Sequence, residues 1–221
     1  VIGYKFLRHG AVGPFTDHRW PAPRNGDPGA WVEASGPLGL CENGVHACRL
    51  EDLPYWLDAE LWLVELGGEV EACERQILAG RARLLRRVEA WTPALAREYG
   101  LACMLRASDL GAGALAAAGL AAEAQALPAA GEPDEVDRAG HAGSAAALAA
   151  GAVRAARASE VAGTAGWHMA FPPATPRYVS YAAFAAYSAV VAAGTIDPEG
   201  GDLAERRRQA DWLAERLELA R

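Results

Sequence analysis

Two histidines are the residues of this chain best placed for chemistry. His9 precedes Gly10 at the end of the apolar segment Tyr4-Lys5-Phe6-Leu7-Arg8, and a ring donor beside a closely approachable backbone suits a nucleotide contact. His46 sits in Gly44-Val45-His46-Ala47-Cys48, after the turn dipeptide Asn43-Gly44. Cys41, His46 and Cys48 have a Cys-x4-His-x-Cys spacing. Thiolates with imidazole are ligands that zinc favours, and Cys73 or His18 would be the fourth. The spacing is unlike the paired Cys-x2-Cys elements of structural zinc sites, so two small buried cysteines flanking a hydrogen-bonded histidine are expected instead. A Cys48–His46 nucleophilic pair is disfavoured too, because thiol nucleophiles rarely meet their base as sequence neighbours.

Carboxylates and arginines supply the remaining candidates. Glu42, Glu65 and Glu69 are possible general bases. Glu65 interrupts the apolar run Leu61-Trp62-Leu63-Val64 and needs water or a partner. Simple alternation places it on the solvent side of a sheet. Arg81, Arg83, Arg86 and Arg87 form the one concentrated basic stretch. On a strand Arg81 and Arg83 share a face, which Arg87 joins if no bulge intervenes. The row could meet an anion, but a solvated face paired with Glu69, Glu71 and Glu74 is the expectation.

The elements that must position these residues change character near residue 92. The first part reads as short strands in turn-rich sequence: a run around Tyr4 and Phe6, a loop from Gly10 to Gly29, then Trp31-Val32-Glu33 and Gly44–Cys48. One or two helical turns at Glu51–Leu57 precede the strand Leu61–Leu66, which Gly67-Gly68 ends. Glu69–Glu71 resumes it, and Ile77–Val88 is a further strand. Thr92-Pro93 then starts a helix running towards Arg106, with a hydroxyl at the cap and proline in the first turn. Alanine-rich helices follow at about 109–127, 138–160, 177–193 and 202–220, with Gly131–Glu135 as an exposed linker. In the last helix Leu203, Trp212, Leu213, Leu217 and Leu219 form the apolar face, and Glu205, Gln209, Asp211 and Glu215 fall on the polar one. Trp167–Pro173 reads as an aromatic loop.

Composition narrows the function classes. The net charge of −7 argues against a general nucleic-acid binder. The cations are arginine apart from Lys5. The longest apolar run, Tyr178–Gly194, is diluted by alanine and broken by Ser and Tyr, so no membrane span is expected. Four cysteines do not make a disulfide framework. No leader pattern is seen, and a cytoplasmic location is the expectation.

Cys41-Glu42-Asn43-Gly44-Val45-His46-Ala47-Cys48, with Leu50, Tyr55 and the strand ending in Gly68-Glu69, resembles a small bacterial and phage domain family of unknown function. The resemblance spans roughly residues 4–91, with Val45 where that family has an aromatic. It implies a fold for this part and no activity. A more distant likeness is to the ADP-ribosyltransferase fold. Phe6-Leu7-Arg8-His9-Gly10, Asn43-Gly44-Val45-His46-Ala47 and Leu61–Gly67 resemble three of its strand motifs in order and spacing. His46 stands where that fold has tyrosine, and no counterpart of its late catalytic glutamate is found. That likeness implies NAD as ligand, with His9, His46 and Glu65 catalytic and His9, Gly10, Arg83 and Arg87 holding the cofactor.

The combined expectation is an α+β protein. A β-rich module at 1–91, with a small, twisted, mainly antiparallel sheet, is followed by an alanine-rich helical region at 92–221 packed on it. Its function is read as that of a binding module whose helical half meets a protein partner. The alternative is an NAD-binding, ADP-ribosyltransferase-like enzyme with a cleft lined by His9 and His46.

Overall fold

The computed structural model describes residues 1–39, 42–172, 175 and 178–219. The fold is α+β, a small antiparallel sheet followed by a helical half. The chain divides into two compact units. One is Val1–Thr92 with the segment from Ala210 onward, and the other is Pro93–Gln209.

In the first unit the strands are β1 (Ile2–Leu7), β2 (Val32–Glu33), β3 (Val45–Ala47), β4 (Glu60–Ala72) and β5 (Ile77–Arg87), with a 3-10 helix at Leu50–Tyr55. β4 lies between β1 and β5, and β2 and β3 share the other edge of β5. The sheet curls until β3 returns to β1, where Tyr4 and Cys48 exchange backbone hydrogen bonds of 2.9 and 2.8 Å. This closure covers two edges that would otherwise expose unpaired backbone. Leu7, Val45, Ala47, Trp62, Val64, Leu66, Ile77 and Leu84 form the core inside. Phe6 meets Trp91 edge to face at 5.5 Å, a geometry that adds about 1 kcal/mol to the burial of both rings.

Gly67-Gly68 does not end a strand. β4 continues through it to Ala72, and the register with β5 slips between Gly67 and Val70, with Gly68 at φ +72°. A bulge tightens local twist, which the curl requires. A second slip, between Leu63 and Val64, leaves Leu85 unpaired on β4 and so interrupts the expected row of arginines.

The helices are α1 (Pro93–Ala117), α2 (Ala121–Ala129), α3 (Pro133–Ala149), α4 (Val153–Met169), α5 (Tyr178–Ile196) and α6 (Gly201–Arg216). α1 starts at Pro93 and runs well past Arg106. The stretch expected as one helix at 138–160 is two, separated at Gly151 with φ +72°. The expected linker at Gly131–Glu135 is instead a helix start. Pro133 occupies the first turn, and the Glu135 carboxylate accepts the N–H groups of Gly131 (3.1 Å) and Glu132 (3.3 Å).

Alanine and glycine let these helices approach almost to backbone contact. A Cβ on Gly140 would lie 2.3 Å from the Gly163 nitrogen, and one on Gly166 would lie 2.6 Å from the Pro133 oxygen. Ser159 Oγ donates to the Gly140 carbonyl across the same contact at 2.8 Å. α5 packs against α1 and α4. By length and composition alone, with a mean hydropathy of 1.5, it is long and apolar enough to cross a membrane, and 44% of that stretch is buried in the fold. Alanine explains both facts, being apolar yet small enough for tight packing.

Of the polar face expected of the last helix, Asp211 and Glu215 are exposed, whereas Glu205 and Gln209 are interior. Glu205 is 2% exposed and Gln209 1%. Arg208 donates to both Glu205 oxygens, Arg106 Nε to one at 3.2 Å, and Gln209 Nε2 to the Ala186 carbonyl at 2.9 Å. Periodicity finds the polar stripe but does not say what that stripe packs against.

Gly140→Ala is expected to destabilise the protein by about 1–3 kcal/mol, because neither backbone can yield to a new methyl group. Gly113→Ala, in the same helical unit but with open space around it, is expected to add about 0.5–1 kcal/mol. Urea midpoints of the two variants and the parent check both.

Candidate functional site

The chain reverses sharply after β1. Arg8 and Val12 exchange backbone hydrogen bonds, with Gly10 at φ +78° and Ala11 at φ +57°. Two successive left-handed residues turn their N–H groups to one side, a concavity suited to an anion. The protein fills it with its own carboxylate. Gly10 N–H donates to Glu60 Oε1 and Ala11 N–H to Oε2, each at 3.0 Å. Trp62 Nε1 donates to Oε2 at 3.1 Å, and Arg87 Nη1 lies 3.4 Å from Oε1. Burial alone would raise the Glu60 pKa, but the Gly10 N–H, the Trp62 indole, the Ala11 N–H and Arg87 together hold it below the usual value. Glu60 was not singled out from sequence. Its lone signal was a second carboxylate at the start of the strand that carries Glu65.

Two residues expected to hold a cofactor, Gly10 and Arg87, therefore meet at an internal carboxylate. Arg83, the third, pairs with Glu65. The two face each other across β4 and β5, and Arg83 Nε donates to Glu65 Oε2 at 2.7 Å. The Arg83 guanidinium also lies 4.7 Å from the Trp31 ring centre, beside that of Arg81 at 4.5 Å. Arg81 and Arg83 thus share a face as expected. Their partners are Glu65 and an indole, where Glu69, Glu71 and Glu74 had been expected.

His9 and His46 do not meet. His9 lies in the turn after β1, and His46 lies on β3, paired with Leu78 of β5. His9 is exposed in the turn, whereas His46 is half-buried beside Leu78. Burial, aided by the Lys5 charge, lowers the His46 pKa and keeps its ring neutral at pH 7. Among the described residues no hydrogen bond or ring contact joins the two histidines.

Lys5 is the unexpected group here. Its ammonium donates to the His46 carbonyl at 2.5 Å and lies 5.0 Å from the centre of the buried Trp20 ring. Burial pushes its pKa down to about 8, the Cys48 thiol opposing slightly.

The Cys-Glu-Asn-Gly-Val-His-Ala-Cys box is spent on local structure. Asn43 Nδ2 donates to the carbonyls of Gly36 (2.7 Å) and Pro37 (2.8 Å). Gly44, at φ +138°, lies directly over Leu78, where a Cβ would come within 2.4 Å of Cδ1. Cys48 is 2% exposed, and burial with nearby acidic charge raises its thiol pKa far above the usual range. That disfavours the thiolate that zinc or nucleophilic chemistry needs. Cys41 lies outside the described residues, and among those described no cluster of three or more His, Cys, Asp or Glu could hold a metal ion. Glu42, Glu69 and His18 are exposed.

The helical unit carries a different kind of surface. Trp167 and His168, expected in a loop, form the last turn of α4; Phe171 follows, and Pro173 lies outside the described residues. Phe171 stacks on Tyr181 at 4.4 Å and 13°, and His168 stacks on Phe184 at 4.8 Å and 16°. His168 also faces Tyr181 at 6.1 Å, which joins the pairs into a four-ring ladder. Trp167 meets His168 and Phe171 edge-on. Burial lowers the His168 pKa, so an uncharged imidazole sits among the rings at pH 7. Trp167, Phe184 and Tyr187 remain 49%, 50% and 57% exposed. Trp167 also lines an open groove of about 530 Å³ with Asp137, Arg138, His141 and Thr164. There Asp137 holds His141 Nδ1 at 3.0 Å through its carboxylate.

Two variants test the ionic interior of the β unit. Below about pH 8 Lys5 is protonated in folded and unfolded chains alike, and the fold bears the cost of burying that charge. Between about 8 and 10.5 the folded protein gives up the proton first, so stability rises with pH there. Lys5→Met should remove that rise and add about 2 kcal/mol at pH 7, a figure reduced for partial exposure. Glu60→Gln should cost about 2–3 kcal/mol at pH 7, because its donors lose a charged acceptor. The cost should shrink as pH falls through the lowered pKa of Glu60, where the parent carboxylate is itself protonated. Chemical denaturation across pH measures both. No family model, curated protein or solved structure matches this chain.

Proposed function

We propose that this protein is a non-catalytic binding module whose recognition face is the aromatic ladder of α4 and α5 with its neighbouring charged groove. The partner is a protein segment that inserts an apolar anchor against Trp167 and Phe184. Asp137, Arg138 and His141 supply the polar rim. A central aromatic patch bordered by polar groups is the arrangement that concentrates binding energy at protein interfaces. The carrying observation is the exposure of Trp167 and Phe184, two rings of a cluster in which His168, Phe184, Phe171 and Tyr181 stack on one another, with the exposed Tyr187 also on α5. Stacking on His168 holds Phe184, and edge contacts with His168 and Phe171 hold Trp167, so these two side chains have little entropy left to lose on docking.

The nucleotide-binding alternative lacks comparable support. Its phosphate contacts would be Gly10, Arg83 and Arg87, whose donors face Glu60 and Glu65. Millimolar NAD or ADP-ribose is therefore expected to leave the melting temperature unchanged. A rise that His9→Ala abolishes would restore the enzymatic reading. For the binding module, a random peptide library selected on the full chain should yield apolar-anchored peptides. Their affinity should fall about tenfold or more in Trp167→Ala and in Phe184→Ser, with melting temperatures close to the parent's. Enrichment of no peptide that depends on these two side chains would reject the aromatic face as the recognition surface.

A further inference from the structure

The helical unit contains a second groove, of about 400 Å³, lined by Arg106 of α1, by Ala193 and Ile196 of α5 and by Arg208 of α6. We propose that it binds a small monocarboxylate with an aliphatic body, the carboxylate lying on Arg106 and Arg208 and the body on Leu110, Ala193 and Ile196.

The argument starts from the buried carboxylate behind the two arginines. The Glu205 side chain is 1% exposed and takes Arg208 Nη2 at 2.7 Å, Arg208 Nε at 3.1 Å and Arg106 Nε at 3.2 Å. One carboxylate thus fixes two guanidinium groups in orientation but neutralises one unit of their charge. Neither Nη of Arg106 nor Nη1 of Arg208 has a protein acceptor among the described residues. The two side chains are 38% and 41% exposed and line the groove. A pre-positioned pair of guanidinium edges suits a planar oxyanion.

The rest of the lining selects among oxyanions. Leu110, Ala193 and the 41% exposed Ile196 are apolar, and they reward a ligand that brings hydrocarbon. Asp197, also in the lining, accepts the Glu199 N–H at 3.2 Å. Counting Arg106, Arg208, Glu205 and Asp197, the groove is neutral overall, so a polyanion gains nothing from it while a monoanion seated on the arginines does. The volume suits a small molecule.

Isovalerate and inorganic phosphate, titrated separately into the full chain at low ionic strength, test the proposal by NMR shift perturbation. Isovalerate is expected to saturate with a millimolar Kd, about −4 kcal/mol, and phosphate not to bind. Arg106→Met and Ile196→Asp should each weaken isovalerate about tenfold or more. Ile196 has no part in the Glu205 network, so its variant stands even if the arginine substitution harms the fold. Leu148→Asp, an exposed site on α3 outside this lining, should change nothing. The proposal falls if isovalerate does not saturate, if its affinity survives both groove variants, or if phosphate binds as tightly.

Discussion

A carboxylate that leaves water must find its donors inside the fold, and each unit of this protein is organised around one that does. Glu60 gathers two backbone N–H groups, an indole and an arginine. Glu205 gathers two arginines and a glutamine. The two solutions differ in what they leave over. Around Glu60 the donors converge and a single guanidinium balances the charge, so the turn after β1 is locked and electrically quiet. Around Glu205 there is one cation more than that carboxylate neutralises, and Asp197 in the same groove lining balances it. Buried ion pairs are poor sources of stability because desolvation offsets the attraction. Their structural effect lies in dictating which geometry the neighbours adopt.

The remaining stability must come from packing, to which the helical unit adds close backbone contact at its glycines. The sheet closes over Trp62, Leu7, Val64 and Leu84, large side chains that fill a small curled interior. The helices also bury large side chains, among them Tyr99, Met104, Leu115, Leu127 and Met169, and add close backbone contact. Gly140, Gly163 and Gly166 bring α3 and α4 together closely enough for Ser159 to bond the opposing backbone. Dispersion between closely approaching backbones adds to that of buried hydrocarbon. The arrangement is unforgiving, because a single added methyl group meets main chain.

Much of the architecture was legible in sequence because it is written in local signals. The apolar run before Gly67 located β4, apolar residues interleaved with arginine located β5, and Thr92-Pro93 marked the start of α1. What escaped depends on partners distant in the chain. Gly67-Gly68 reads as a strand end until β5 is seen to continue opposite it, where the same dipeptide is a bulge. Glu205 and Gln209 have the spacing of a solvated face, and nothing local announces that α1 and α5 will cover them. The candidate site fared likewise. Strand alternation gave Arg81 and Arg83 a common face correctly, while the acceptors of Arg83 and Arg87 lie 18 and 27 residues away in sequence.

The same contrast bears on where recognition belongs. A binding surface needs groups whose hydrogen bonds or apolar area are unsatisfied in the free protein, since only those gain from a partner. In the β unit the named polar groups are answered internally: the Gly10 and Ala11 N–H groups by Glu60, Arg83 by Glu65 and Trp31, Lys5 by a carbonyl and an indole. Its conspicuous box is occupied in shaping a loop and covering Leu78. The helical unit instead leaves Trp167, Phe184 and Tyr187 half in water and two guanidinium edges open. Large aromatic rings held half in water carry an unrecovered solvation cost, which is why the proposed recognition face is drawn in the alanine-rich half.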